Sequence, residues 1–285
     1  MKRYEYQFTN RMKRIIELAS QHSDQNVILP SHLFLAACEK ATGVCGELHL
    51  YLHKKFGSDF INVIQSKCES SKEALYIYYN QLKLSETTVS VFNKANEKKE
   101  SYNQVLINEG HILQSIFEID ENMAAVFNQE IIEGIVYIAC VPRDMIVDLK
   151  SYHSNAVISY QNSIRRANHS DLCYLKEFIK EEFGKGWLEH IDNLQTKDNL
   201  PIFVAESNKD IIGFACFDIV RNKKGLLGPM GTSNSKRLNS VGRELLHRSL
   251  KEMADVGYEY AIIGQAGPIE FYERVCNAKL IPNLN

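Results

Sequence analysis

Between Gly225 and Arg243 the chain carries residue types that suit the binding of a diphosphate. Gly225-Leu226-Leu227-Gly228-Pro229-Met230-Gly231-Thr232 reads as a strand, Ser233 to Ser240 as a polar loop, and Val241-Gly242-Arg243-Glu244-Leu245-Leu246 as a helix start. A diphosphate needs several backbone N–H donors converging where the helix dipole is positive. Arg237, Ser240 and Gly242 stand where such a loop turns into the helix. A small residue there lets the backbone approach the phosphates closely. Leu246, Leu250 and Met253 mark the inner face of that helix.

The flanking segments supply the elements that position this loop. Ser163 to Leu172 reads as a short strand, a turn and a helix start, with Ser170 or Asp171 as candidate caps for a helix through Leu175, Phe178 and Ile179. Ile202-Phe203-Val204-Ala205-Glu206 and Ile211-Ile212-Gly213-Phe214-Ala215-Cys216-Phe217-Asp218 flank the polar turn Ser207-Asn208-Lys209-Asp210, which predicts a hairpin. Gly257 stops the long helix, and Tyr260-Ala261-Ile262-Ile263-Gly264 is a further strand. Pro268 then opens a second helix carrying Phe271 and Tyr272.

This order resembles the GNAT N-acetyltransferase superfamily over roughly 120 residues. The signature of that family at the helix start is Arg or Gln, two residues, Gly, one residue, then Gly or Ala. Here it reads Arg237-Leu238-Asn239-Ser240-Val241-Gly242, with Ser in place of the first Gly. A second signature, an Asn followed by Phe-Tyr, is matched by Gln265 and Phe271-Tyr272. The resemblance implies that acetyl-coenzyme A is the cosubstrate and an amine the acceptor. It implies that Met230, Gly231, Thr232, Arg237, Leu238, Asn239, Ser240, Val241, Gly242, Arg243, Gln265 and Phe271 bind it. It also implies that Tyr272 protonates the leaving thiolate, with the N–H of Met230 or Thr232 polarising the thioester carbonyl. A hydroxyl donor near the sulfur lowers the cost of expelling it. Glu206, Asp218 and Glu259 are the candidate bases for the amine, and Trp187, His190 and Gly184-Lys185-Gly186 are assigned to the acceptor-side loop. Family members usually add one or two strands after the Tyr helix. The chain ends at Asn285, so the expectation is either that a partner subunit, in a homodimer, supplies that cover or that the site is unusually open.

The first half has a different pattern. Phe8, Met12, Ile15 and Ala19 sit on one helical face, and Leu84, Thr88, Val91 and Ala95 repeat the spacing. The hydroxyls of Thr9 and Ser85 are placed to cap the two helices. Asn26 to Leu33 has a counterpart in Val105 to Ile112, with His32 and His111 in matching places. The histidines read either as a ligand-sensing pair or as two equivalent ties between a loop and a helix start, and the second reading is favoured. A helix is predicted from about Phe56 to Leu82, and Ile131 to Val141 reads as a helix or a strand.

Phe8-Thr9-Asn10-Arg11 through Ala19, then Ser31-His32-Leu33, resembles the N-terminal repeat domain of Clp unfoldases. In that family two repeats form a pseudo-twofold helical module that docks substrates and adaptors. Some members bind phosphorylated arginine through a Glu directly before each histidine. Here those positions are Ser31 and Gly110, so that ligand does not carry over, and docking of a protein or peptide is the remaining expectation. The motif G-x-x-x-x-G-K-[ST] is absent, and with it the ATPase motor.

The expected architecture is multidomain. An all-α double-repeat bundle of the Clp N type occupies 1–143, and 144–162 is a linker. An α+β GNAT domain with a mixed, mostly antiparallel sheet occupies 163–285. Hydrophobic residues at 45% and charged residues at 24% suit a globular chain, and the formal net charge of −2 argues against a nucleic-acid partner. No apolar run approaches a membrane span, so no membrane partner is expected. The seven cysteines include no C-x-x-C pair and suit a reducing cytosol, and no metal site is expected. Two functions follow. One is an acetyl-coenzyme A-dependent N-acetyltransferase with a helical docking domain. The other is a non-catalytic Clp-like adaptor built on a degenerate acyltransferase fold.

Overall fold

The structure is a computed structural model. It describes residues 5–23, 27–39, 42–68, 75–102, 104–150, 152, 163–194, 199–221, 223–233 and 240–282. The chain forms two compact units, Met1–Val141 and Pro142–Asn285.

The first unit runs α1 (Asn10–Gln21), β1 (Val27–Ile28), α2 (Pro30–Glu39), α3 (Val44–Phe56), α4 (Phe60–Cys68), β2 (Tyr76–Tyr79), β3 (Leu82–Ser85), α5 (Glu86–Ser101), α6 (Glu109–Ile119), α7 (Glu121–Val126) and α8 (Gln129–Cys140). The two hydroxyls cap as their positions predict. Thr9 Oγ1 accepts from Met12 N at 3.1 Å, and Ser85 Oγ accepts from Thr88 N at 3.1 Å. Each cap is worth about 1 kcal/mol.

The repeats are joined crosswise. Strand β3, which opens the second repeat, lies parallel to β1 of the first, with Ile28 opposite Leu84. Phe8, which opens the first repeat, bridges Ile107 of the second in the same parallel sense. The histidines are equivalent ties: His32 Nδ1 accepts from Leu29 N and His111 Nδ1 from Asn108 N, both at 3.2 Å. Burial, then the charges of Lys98 and Lys99, lower the His111 pKa to about 4, which keeps the ring neutral and able to accept.

The unit is not wholly helical. Within the helix expected over Phe56 to Leu82, α4 covers Phe60–Cys68, 69–74 lie outside the described residues, and Tyr76–Ser85 is a hairpin in a three-stranded sheet ordered β1-β3-β2. Tyr76-Ile77-Tyr78-Tyr79 is a run of strand formers. Asn80 (φ 46°) and Gln81 (φ 71°) make the two-residue turn that such a hairpin needs. One contact breaks the repeat symmetry. Arg11 Nη1 meets Glu109 Oε1 at 2.5 Å, with both side chains only 6% exposed. The matching positions, Thr87 and Pro30, cannot form that pair.

The second unit runs β4 (Arg143–Asp148), β5 (Ser163–Arg166), α9 (Asp171–Phe183), α10 (Leu188–Asp192), β6 (Ile202–Ser207), β7 (Asp210–Phe217), β8 (Leu226–Thr232), α11 (Val241–Asp255), β9 (Tyr260–Ala266), α12 (Ile269–Cys276) and β10 (Lys279–Leu280). Seven strands form one sheet in the order β10-β4-β9-β8-β7-β6-β5. Every pairing is antiparallel except β8 with β9, so the sheet is mixed and mostly antiparallel, as expected. Helices α11 and α12 pack on one face over Leu227, Ile212 and Ile263. Helices α9 and α10 cover the other face over Val204, Phe214 and Cys216.

Two expectations are corrected by this topology. The linker assigned to 144–162 begins with a strand of the sheet: β4 pairs with β9, Met145 opposite Ile263 and Val147 opposite Ala261. Arg143, Met145 and Val147 point inward and are buried, the period-two pattern of a half-buried strand. Of 149–162, only Leu149, Lys150 and Tyr152 are among the described residues. The sheet therefore continues past β9 with strands of the same chain, β4 and then β10, and no second subunit is required to supply them.

Candidate active site

Strands β8 and β9 are parallel neighbours only at their start. They pair at Leu226–Ile262 and Leu227–Ile263, after which β8 continues with β7 alone and a notch opens. The backbone direction along β8 follows from one bond. Ser233 N donates to Ile212 O of β7 at 2.9 Å. Successive residues of a strand alternate sides, so Gly231 also faces β7, while the N–H groups of Met230 and Thr232 point away from it, toward the notch.

The other wall of the notch is β9 beyond Ile263. There Gln265 adopts φ +49° with its side chain exposed. Its N–H donates to Asp144 Oδ1 at 2.8 Å, and Arg221 Nη1 holds the other carboxylate oxygen at 2.7 Å. Burial raises the Asp144 pKa, but Arg221 and the Gln265 N–H outweigh it, so the net shift is downward and the group stays charged.

Helix α11 begins beside the far end of β8. Its first intrahelical bond runs from Glu244 N to Ser240 O at 2.9 Å, which leaves the N–H groups of its first turn without helical acceptors. Gly242 faces Thr232 and Phe271: a Cβ built on it would lie 3.7 Å from Thr232 Cγ2 and 3.9 Å from Phe271 Cζ. Gly242 at the helix start and Phe271 of the Phe-Tyr pair, which are far apart in sequence, are thus neighbours across the end of the notch. Arg237, Leu238 and Asn239 lie outside the described residues. These first-turn N–H groups, and a backbone with no side chain at Gly242, fit an extended anionic group with a diphosphate.

Tyr272 lies on α12, 7% exposed, its ring 5.0 Å from that of Phe271. Among the described residues its hydroxyl has no hydrogen-bond partner. Burial, and to a lesser degree the neighbouring Cys276 thiol, push its pKa upward, so the hydroxyl keeps its proton through the neutral range.

The three carboxylates considered as bases are not at the notch. Glu206 is on β6 and is tied to Arg165. Asp218 accepts from Gly225 N and Tyr258 Oη near the start of β8, at 2.7 Å each. Glu259 precedes β9 and pairs with Lys150. A carboxylate that sequence reasoning missed is closer. Glu182, in the last turn of α9, accepts from Ser233 Oγ at 2.5 Å, next to Thr232. Nothing in the local sequence links these two residues. Trp187 is half-buried against Phe183, at 5.0 Å between ring centroids.

Residues 167–278 match the sequence model of the Acetyltransferase (GNAT) family, a range that takes in the notch, the α11 start and the Phe-Tyr helix. No curated protein sequence matches the chain. Among solved structures, one similar fold is the glucosamine N-acetyltransferase region of a fungal multi-domain β-N-acetylglucosaminidase, at 17% identity and TM-score 0.42. That match covers 49% of this chain and 19% of that one, so this chain spans under a fifth of that protein. A GNAT family acetyltransferase from Brucella melitensis in complex with acetyl-CoA matches at 17% identity, covering 45% of this chain and 93% of that one, TM-score 0.33. The N-terminal domain of the chaperone ClpD from Arabidopsis thaliana matches at 15% identity, covering 47% and 92%, TM-score 0.33. No helix among the described residues is long and apolar enough to cross a membrane, and no cluster of three metal-ligating side chains occurs among them.

Proposed function

We propose that the second unit is an acetyl-coenzyme A-dependent N-acetyltransferase acting on an amine. The observation that carries this reading is the meeting of three features in one place. They are a splayed β8–β9 notch with inward N–H groups, the start of α11 with a glycine at Gly242, and a protonated Tyr272 beside Phe271. Bound acetyl-coenzyme A supplies an activated acetyl thioester. The N–H groups of Ser240, Val241, Gly242 and Arg243 hold the diphosphate at the positive end of α11. Gln265 offers its amide from the β9 wall. The N–H groups of Met230 and Thr232 stabilise negative charge developing on the carbonyl oxygen.

The transfer forms one N–C bond and breaks one C–S bond. The acceptor ammonium loses two protons overall. Tyr272 delivers one proton to the sulfur and is restored from solvent, and the other proton is released. No step of this chemistry is assigned to the first unit. Its part in the proposal is to dock a protein or peptide, a reading supported by the crosswise double repeat.

The test is release of free thiol from acetyl-coenzyme A by the full chain, screened against alkylamines, polyamines and lysine peptides. Amine-dependent release with one acetylated product is the expected result. Stoichiometric cofactor binding with no release from any amine would favour the adaptor function instead.

A further inference from the structure

On the face of β8 away from α11, the strand has no side chain at Gly231, and the ring of Phe183 fills the space. A Cβ at Gly231 would lie 2.7 Å from Phe183 Cε2. Trp187 packs on Phe183, and both rings stand 6.1 Å from Phe214. Phe214 is fully buried and forms the floor, while Phe183 and Trp187 keep half-exposed surfaces above it. The turn between them leaves room: a Cβ at Gly184 or Gly186 would meet nothing within 4 Å.

Two residues beyond Gly231 on the same face, Ser233 is buried and fixes the Glu182 carboxylate with its 2.5 Å hydrogen bond. The Glu182 carboxylate is thereby anchored about 7 Å along β8 from the Phe183 ring, the spacing of two strand residues on one face. It also sits in the last turn of α9, where the helix dipole is negative and an anion is not favoured for stability. A carboxylate beside aromatic faces is the combination that holds an ammonium group, through charge and through the ring quadrupoles.

We infer that the acceptor is a polycationic amine, whose second ammonium group rests between Glu182 and the Phe183–Trp187 rings while its reacting nitrogen faces the notch. The inference rests on the acetyltransferase reading and narrows its substrate class. A single cationic amine lacks the second charge, and a lysine in a neutral peptide lacks it too. Recognition of that charge separates a polyamine from both.

Trp187 is the one tryptophan of the chain, so its fluorescence reports occupancy without any turnover. The full chain, saturated with coenzyme A, is titrated with spermidine, with propylamine and with an uncharged-ended lysine peptide. Spermidine is expected to change the Trp187 emission saturably, with an apparent Kd at least about tenfold below those of the other two, since one charge-assisted contact is worth about a tenfold factor or more. Glu182→Gln is expected to remove that preference while leaving the Kd for coenzyme A within about twofold. Added salt is expected to weaken spermidine binding in the parent chain more than in Glu182→Gln. Equal affinities for the three amines, or a spermidine Kd unmoved by Glu182→Gln, would overturn the inference. Failure of the parent chain to bind coenzyme A at all would instead overturn the acetyltransferase reading on which it rests.

Discussion

Replacing Tyr272 by Phe is expected to lower acetyl transfer by about 10²–10⁴-fold, the usual contribution of a positioned proton donor. The substitution removes one hydroxyl and keeps the ring that packs at 5.0 Å on Phe271. No hydrogen bond to a described residue is lost with it. Stability and acetyl-coenzyme A affinity should therefore hardly change, because the hydroxyl meets the sulfur only as charge develops there. The loss should fall on kcat and kcat/KM together, the mark of an interaction made only in the transition state. Steady-state rates and a thermal melt of the same two proteins check this. Unchanged rates would make Tyr272 a packing residue.

The second large effect belongs to the helical unit. Arg11→Met is expected to destabilise it by about 3–5 kcal/mol, because Glu109 would be left buried without its counter-charge. Glu109 Oε2 already has no hydrogen-bond partner, so the carboxylate relies on Arg11. In calorimetry of the full chain, the transition of this unit should drop by roughly 10 °C or more. The double variant Arg11→Met, Glu109→Leu should recover much of the loss, since an apolar pair removes the stranded charge. A single variant as stable as the parent would mean that Glu109 reaches water in solution.

Much of this architecture is legible in the sequence wherever the signal is local. Thr9 with Met12, and Ser85 with Val91, announce capped amphipathic helices, and α1 and α5 form there. The turn Asn208-Lys209, both at positive φ, sits between apolar runs and forms the expected hairpin. The β8 strand, the α11 start and the Phe-Tyr pair are likewise short-range patterns. The failures have a common physical origin in pairing between distant segments. Tyr76-Ile77-Tyr78-Tyr79 has apolar content that a helical reading can absorb, and its strand identity is expressed only by pairing with β3 and, through it, β1. Arg143 to Asp148 alternates inward and outward, but no local feature says that it joins the sheet beside β9, more than a hundred residues later. The Glu182–Ser233 contact spans 51 residues, and neither residue type stands out in its own segment.

Everything proposed for the second unit depends on its binding acetyl-coenzyme A through the notch and the α11 start. Calorimetric titration of the full chain with acetyl-coenzyme A, alongside Gly242→Val, tests it most directly. Space beside Gly242 admits a Cβ, with Thr232 and Phe271 at ordinary contact distances of 3.7 and 3.9 Å. The variant should therefore fold with a near-native melt, and its branched side chain should crowd the backbone cradle. The parent is expected to bind at one site per chain, and Gly242→Val with an affinity at least about tenfold weaker, the effect of losing about 1.4 kcal/mol of binding. A folded parent chain that takes up no acetyl-coenzyme A, or a Gly242→Val variant that binds it as tightly as the parent, would contradict it.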